Sequence, residues 1–469
     1  MISLSHNQFS YLIVTASYWT FMLSDGALRM LVLLHFHQNG FSPLQLAYLF
    51  LFYELAGIFT NLTAGWLATK FGLKFTLTTG LTIQILSLYL LSQLNEDWSH
   101  NFSVLYVLIV QGLSGVAKDL TKMSSKSAVK LLAPENNMGL FRWVAILTGS
   151  KNTIKGLGFL VGSVLLATLG FYKSLLCMLV IVSLILIMSV FLLKNDLFST
   201  KKNIKFADIF SKSKNINFLS VARVFLFGAR DVWFVVGLPV FFYNIFSDGT
   251  TEGKQSAFYI VGSIMALWVI LYGLVQAISP RLFQNKENKD PDLIQISKKW
   301  VFYLFVNIIS ITLLFLIINE VFFKNLVLFL GLFIFCFIFA VNSSVHSFLI
   351  LKFSKKKDVT LDVGFYYMAN ATGRLLGTFL SGYTFQVGGL MLSLTVASAM
   401  IGLCFFFTFF INENNENLEL IIIELLKVIK IDILSKVLIN IFNNNNKISL
   451  PLLCSYEKIS LKFLLFCIN

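Results

Sequence analysis

The sequence has 469 residues, of which 57% are hydrophobic and only 13% charged, with a formal net charge of +14. That charged share is about half of the roughly 25% found in soluble domains, so a soluble globular protein is excluded. The positive charge reads as loop charge that orients membrane helices, which argues against nucleic-acid binding.

The opening residues, MISLSHNQF, lack a charged region and a small-residue cleavage site, so no removed signal peptide is expected. Apolar segments then follow at 9–35, 43–67, 75–93, 102–122, 143–168, 171–193, 217–243, 257–280, 300–319, 325–350, 361–386 and 388–411. Each is long enough to cross a hydrocarbon core of about 30 Å. The expected fold class is therefore all-α integral membrane, with twelve transmembrane helices. With the N-terminus inside, the inner connections carry 22 basic residues and the outer ones only Lys173, Lys254 and Lys324. The positive-inside rule then places both termini in the cytoplasm.

The lysine-rich connection 194–216 divides the helices into a first half, 1–193, and a second, 217–411. A faint internal repeat crosses that divide. Ser124 and Ser125 are echoed by Ser343 and Ser344, and Thr153, Lys155 and Gly158 by Thr372, Arg374 and Gly377, all at an offset of 219. Such repeats are usual in transporters that bind at the junction of two halves. Beyond the last apolar segment, 412–469 is an Asn-rich tail of unassigned role. Its 418–442 portion has the alternation of an interfacial helix, or is sequence unrelated to function.

Gln111–Gly162 stands out because it places Lys118, Lys122, Lys126, Lys130, Lys151 and Lys155 beside Gly112, Gly115, Gly149, Gly156, Gly158 and Gly162 between apolar runs. Cations within spanning segments face a bundle interior or a wet cavity, and small residues let membrane helices approach closely. Lys151 and Lys155 could equally anchor a helix end at the headgroups. Only six of the 37 basic residues are arginines, and Arg29, Arg223, Arg230 and Arg374 all fall inside apolar segments. Arginine stays charged and grips oxyanions with a two-pronged fork.

Asp25 and Arg29, four residues apart, are expected to pair on one helix face. Adjacent Arg230 and Asp231 are expected to diverge and to seek partners elsewhere. Arg29, Arg230, Arg374 and Lys155 outnumber Asp25, Glu54 and Asp231, which predicts a cationic cavity visited by an oxyanion such as phosphate. Tyr366, Asn370, Asn342 and His346 are further candidates for binding it, and Tyr367 lies beside them. Asp25, Glu54, Asp119 and Asp231 are candidates for proton coupling or gating.

No enzyme motif is present: neither GxxxxGK followed by Ser or Thr, nor HExxH, nor GxSxG. No cofactor or metal is expected. His35 and His37 form an HxH that reads as a helix end at the interface, and the five cysteines show no CxxC spacing. A membrane-embedded phosphate-ester enzyme and a channel are the competing classes.

Gly65, Gly72 and Lys74 in GWLATKFGLK (65–74) resemble the loop signature of the major facilitator superfamily, although Thr69 stands where that signature has an aspartate. Longer strings resemble the ArsJ family of organoarsenical efflux transporters. They are DGALRMLVLLHFHQ (25–38), SPLQLAYLFLFYE (42–54), SGVAKDLTKMSSKSAVKLL (114–132), RWVAILTGSKN (142–152), LFGARDVWFVVGLPV (226–240), AVNSSVHSFLI (340–350) and LDVGFYYMANATGRLLGT (361–378). The resemblance covers residues 10 to about 410. It implies a major facilitator fold in a bacterial inner membrane and export of 1-arseno-3-phosphoglycerate. It also implies a functional, non-physical partnership with a glyceraldehyde-3-phosphate dehydrogenase that makes this compound. Composition and spacing by themselves indicate only an anion transporter, and another organophosphate or phosphosugar is the alternative cargo.

Overall fold

The computed structural model describes residues 6–95, 97–129, 137–193, 213–283, 292–354 and 359–412. Met1–Ile411 forms one compact unit. The expected interfacial helix at 418–442, the 194–212 part of the connection, and the side chains of Lys126, Lys130, Arg142 and residues 64–71 lie outside the described residues.

The helices, in order, are α1 (His6–Gln38), α2 (Pro43–Phe71), α3 (Leu73–Ser92), α4 (His100–Val129), α5 (Asn137–Leu192) and α6 (Lys214–Phe234). They continue as α7 (Gly237–Phe246), α8 (Thr251–Ile278), α9 (Leu293–Ile317), α10 (Val321–Phe353) and α11 (Val359–Phe409), with a 3-10 turn at Ser279–Phe283. Among the described residues, nine stretches are long and apolar enough to cross a membrane. Two of these, Ala145–Leu192 and Asp362–Phe409, hold 48 residues each, far more than the ~20 one crossing requires. They break at Gly170 (φ 74°) and at Gly388–Gly389 (φ 62° at Gly389). That left-handed backbone is cheap only for glycine, so each stretch makes two crossings. α1 carries Asp25 and Arg29 in its length and is less apolar, yet its 33 residues suffice to span. With it the crossings number twelve, consistent with the sequence.

One span departs from expectation. The segment anticipated as a continuous helix over 217–243 breaks between α6 and α7 at Val235–Val236. Pro239 lacks an N–H and its ring excludes the carbonyl four residues back, so the helix cannot run through. Broken backbone inside a bilayer needs protein partners. Here Val236 and Gly237 donate their N–H groups to Ser381 Oγ of α11, at 3.0 and 3.2 Å.

Polarity is arranged inside out. Leu176, Val180, Leu184, Ile187 and Phe191 form an exposed stripe on α5 at three- and four-residue spacing, while Asp25, Glu54, Asp119, Arg223 and Asp231 are buried. This suits a hydrocarbon exterior and a polar interior. α3 packs outside α4 and α5, and α9 outside α10 and α11, which leaves the other helices around the centre.

Glycines set the close crossings. Gly158 of α5 lies on the Leu23 carbonyl and Gly26 of α1, and Gly377 of α11 lies on the Gly228 carbonyl of α6. The residues that echo one another at an offset of 219 thus sit at two like crossings, each holding a cation, Lys155 or Arg374, toward the centre.

Candidate functional site

The central cavity, of about 140 Å³, is walled by α1, α2, α4 and α5 on one side and by α6, α8, α10 and α11 on the other. Eight cations line it: Arg29, Lys118, Lys122, Lys151, Lys155, Arg223, Arg230 and Arg374. Three acids share the wall, Glu54, Asp119 and Asp231, and Asp25 stands behind, paired with Lys155. Eight cations against four acids leave a formal excess of four positive charges.

Five of these charges form an alternating ladder across the bundle. Arg29 Nη2 meets Glu54 Oε1 at 2.9 Å, and Arg374 Nη2 meets the same oxygen at 2.5 Å. Arg374 Nε then reaches Asp231 Oδ2 at 3.3 Å, and Arg230 Nη2 closes on Asp231 Oδ1 at 2.5 Å. Glu54 and Asp231 are fully buried. Removing either would leave arginines uncompensated in a low-dielectric interior, which is far costlier than the intact pairing.

Two smaller clusters flank the ladder. Asp25 accepts hydrogen bonds from Lys155 and from the Tyr53 hydroxyl. Asp119 accepts from Thr60 at 2.9 Å, Asn61 at 3.3 Å and Lys122 at 3.1 Å. Lys122 also donates to Asn61 Oδ1 at 2.6 Å and stands 4.4 Å above the Tyr367 ring of α11.

Three lining cations have no acidic ion-pair partner among the described residues. Lys118 lies 3.9 Å over the Tyr53 ring, and Lys151 faces the cavity from α5. Arg223 is packed between the rings of Phe227 and Tyr366, donating Nε to Asn370 Oδ1 at 2.9 Å and Nη1 to the Ser343 carbonyl at 3.3 Å. Beside it, Tyr272 donates to Ser343 Oγ at 3.1 Å, and Gln276 Nε2 to the same oxygen at 3.0 Å. Asn152 of α5 reaches Gln276 of α8 at 2.5 Å.

Several sequence expectations are corrected here. Asp25 and Arg29 do not pair with each other: they share a helix face, but Lys155 of α5 and Glu54 of α2 reach them first. Arg230 and Asp231 do pair, because the long guanidinium arm bends back over its neighbour despite the ~100° between adjacent positions. Lys118 and Lys122, counted among the inner-loop charges, sit on α4 facing the cavity. Lys151 is a cavity residue rather than a headgroup anchor.

Of the binding candidates, the structure brings Arg29, Lys155, Arg230, Arg374 and Asn370 to the cavity wall. Tyr366, Asn342 and His346 lie behind it, fully buried. His35 and His37 part company: the first stacks on Phe171 at 4.1 Å, and the second meets Asn244 of α7 at 3.1 Å. Among the described residues, no cluster of His, Cys, Asp and Glu could hold a metal.

The sequence reading marked Arg223 among the buried arginines and Tyr367 among the hydrogen-bonding groups, and both line the cavity wall. It did not single out Lys118, Lys122, Lys151, Ser343 or Ser347 as binding residues, although they line it too. A usable signal was present. Lys118 and Lys122, like Lys151 and Lys155, are four apart and so share one helix face.

A family model described as Major Facilitator Superfamily matches residues 12–317. Among curated proteins, no sequence matches the chain. Solved structures with a similar fold include the nucleoside transporter NupG in a mutant form, at a TM-score of 0.63 and 16% identity, covering 86% of this chain and 100% of that one. A bacterial homologue of the iron transporter ferroportin, in an outward-facing state, aligns at 0.61 and 13% identity over 85% and 98% of the two chains. The human organic anion transporter MFSD10 (TETRAN) aligns at 0.59 and 14% identity over 86% and 100%. At these identities the likeness speaks for the fold.

Proposed function

From a chain that belongs to the Major Facilitator Superfamily, and is a membrane transporter rather than an enzyme, we propose secondary active export of a small, multiply charged oxyanion. The observation that carries this reading is the cavity's excess of four positive charges, deep inside a bundle whose exterior is apolar. Cations at that depth are sustained by water and by a visiting anion, and guanidinium groups suit phosphate-like oxygens.

The cargo we propose is 1-arseno-3-phosphoglycerate, formed by a glyceraldehyde-3-phosphate dehydrogenase acting with arsenate, so that export confers arsenate resistance. The cavity supports the anionic class, and the ArsJ-like strings support the arsenical. Another phosphorylated anion is the alternative. In this reading the protein sits in a bacterial inner membrane with both termini cytoplasmic. Its halves, 1–193 and 217–411, rock about the central cavity. Asp25, Glu54, Asp119 and Asp231 act as gating carboxylates, which release their cations as the anion enters and leaves.

The test is arsenate sensitivity and cellular arsenic retention in an efflux-deficient bacterium expressing this chain with and without the dehydrogenase. Resistance and lowered retention only with both proteins support the reading. Resistance without the dehydrogenase would point to arsenate itself. No resistance, with the chain present in the membrane, refutes the arsenical.

A further inference from the structure

Each arginine of the ladder, Arg29, Arg230 and Arg374, is already paired with Glu54 or Asp231. An anion docking there must displace a buried carboxylate. The lining cations with no acid to displace stand elsewhere, and they stand on opposite walls. Arg223, on α6, is held by two hydrogen bonds and two rings. Those bonds use Nε and Nη1, and among the described residues Nη2 has no hydrogen-bond partner. Asn370 and Ser343 fix the guanidinium plane, so the remaining donors face a set direction. Across the cavity, and among the described residues, the Lys151 ammonium on α5 has no ion-pair or hydrogen-bond partner, and Lys118 on α4 rests on the face of Tyr53. Ammonium groups are compact charges that accept a carboxylate, phosphate or arsenate oxygen from many angles.

We propose that Arg223 on one wall, and Lys151 with Lys118 on the other, are two separate anion subsites, and that the transporter selects molecules bearing an anionic group at each end. The ladder serves as the framework between them. A cargo with one charged end satisfies one subsite and leaves unpaired cations on the facing wall. A two-ended cargo satisfies both and ties the walls together, as closure around a central substrate requires. This selection rests on the anion-transport reading above, but not on the arsenical.

Binding to the purified full-length chain tests it, with 3-phosphoglycerate and glycerol 3-phosphate as probes. The first has a carboxylate where the second has an uncharged alcohol, so they differ at one end only. The wild type is expected to bind 3-phosphoglycerate at least about tenfold more tightly, in line with one additional charge-assisted contact. Of Arg223→Gln and Lys151→Gln, one should weaken both probes, having lost the phosphate end. The other should weaken 3-phosphoglycerate alone, down to the level of glycerol 3-phosphate.

Equal affinity for the two probes in the wild type overturns the proposal. So does binding of neither probe, and so does an equal loss of both probes in both variants. A two-ended preference that persists while cells gain no arsenate resistance leaves the subsites standing and removes the arsenical. A failure of the preference alongside arsenic export does the reverse. Should either Gln variant fail to fold, Arg223→Lys and Lys151→Arg keep the charge, and a shifted preference between the probes remains the readout.

Discussion

Arg374 of α11 rests on Glu54 of α2, Nη2 to Oε1 at 2.5 Å, and so ties the two sets of helices together through one buried carboxylate. Arg29 of α1 uses the same oxygen at 2.9 Å. A single acid thus compensates two guanidinium groups on separate helices.

Glu54→Gln should therefore destabilise the protein strongly. Taking one partner from a buried ion pair typically costs about 3–5 kcal/mol. The melting temperature of the detergent-purified chain should fall by several degrees or more. The double variant Glu54→Gln/Arg374→Gln should lose less than the sum of the two single changes. Additive losses would mean that the pair is not energetically coupled.

The contact between α5 and α8 predicts a separate loss. A Cβ at Gly149 would strike the Gly273 carbonyl, and one at Gly273 the Gly149 carbonyl and Thr153. Gly149→Val should push the two helices apart and cut transport by about tenfold or more, since close approach in membranes depends on small residues. Gly402→Ala is the control, because its Cβ meets only the side chain of Phe305, at 3.2 Å. Transport rates normalised to membrane-inserted protein decide between these outcomes.

Lys122 over the Tyr367 ring is a second bridge between α4 and α11. Tyr367→Ala removes the ring and Tyr367→Phe keeps it. A desolvated cation–π contact is worth about 0.5–2 kcal/mol, so the Ala variant should favour the open cavity several-fold. Ser347 lines that cavity. Placed in a Ser347→Cys background, Tyr367→Ala should speed labelling by a polar maleimide, while Tyr367→Phe leaves it near the parent rate. Equal labelling in both would show that the ring does not close the cavity.

Much of this was legible from residue order because lipid imposes a simple rule. Long apolar runs declare the spans, and charges within them declare the interior. The expected divisions between 168 and 171 and between 386 and 388 fall within two residues of the breaks at Gly170 and Gly388–Gly389. Pro239 broke a span that hydropathy alone read as continuous, and the Ser381 that supports the break lies 145 residues away in sequence.

Pairing was the illegible part. Whether Asp25 takes Arg29 or Lys155 depends on how α5 crosses α1 at Gly26 and Gly158, a long-range geometry that no local spacing encodes. For the same reason Asn342 and His346, polar and in the right helix, turned out to lie behind the wall, while Ser343 and Ser347 face the cavity.

The most direct test of the central claim is arsenic uptake by everted membrane vesicles containing this chain. The vesicles would be supplied outside with arsenate, glyceraldehyde 3-phosphate, NAD and the dehydrogenase. The account predicts arsenic accumulation inside that requires the dehydrogenase and is competed by 3-phosphoglycerate. Accumulation from arsenate alone, or none from vesicles that hold the inserted protein, would contradict it.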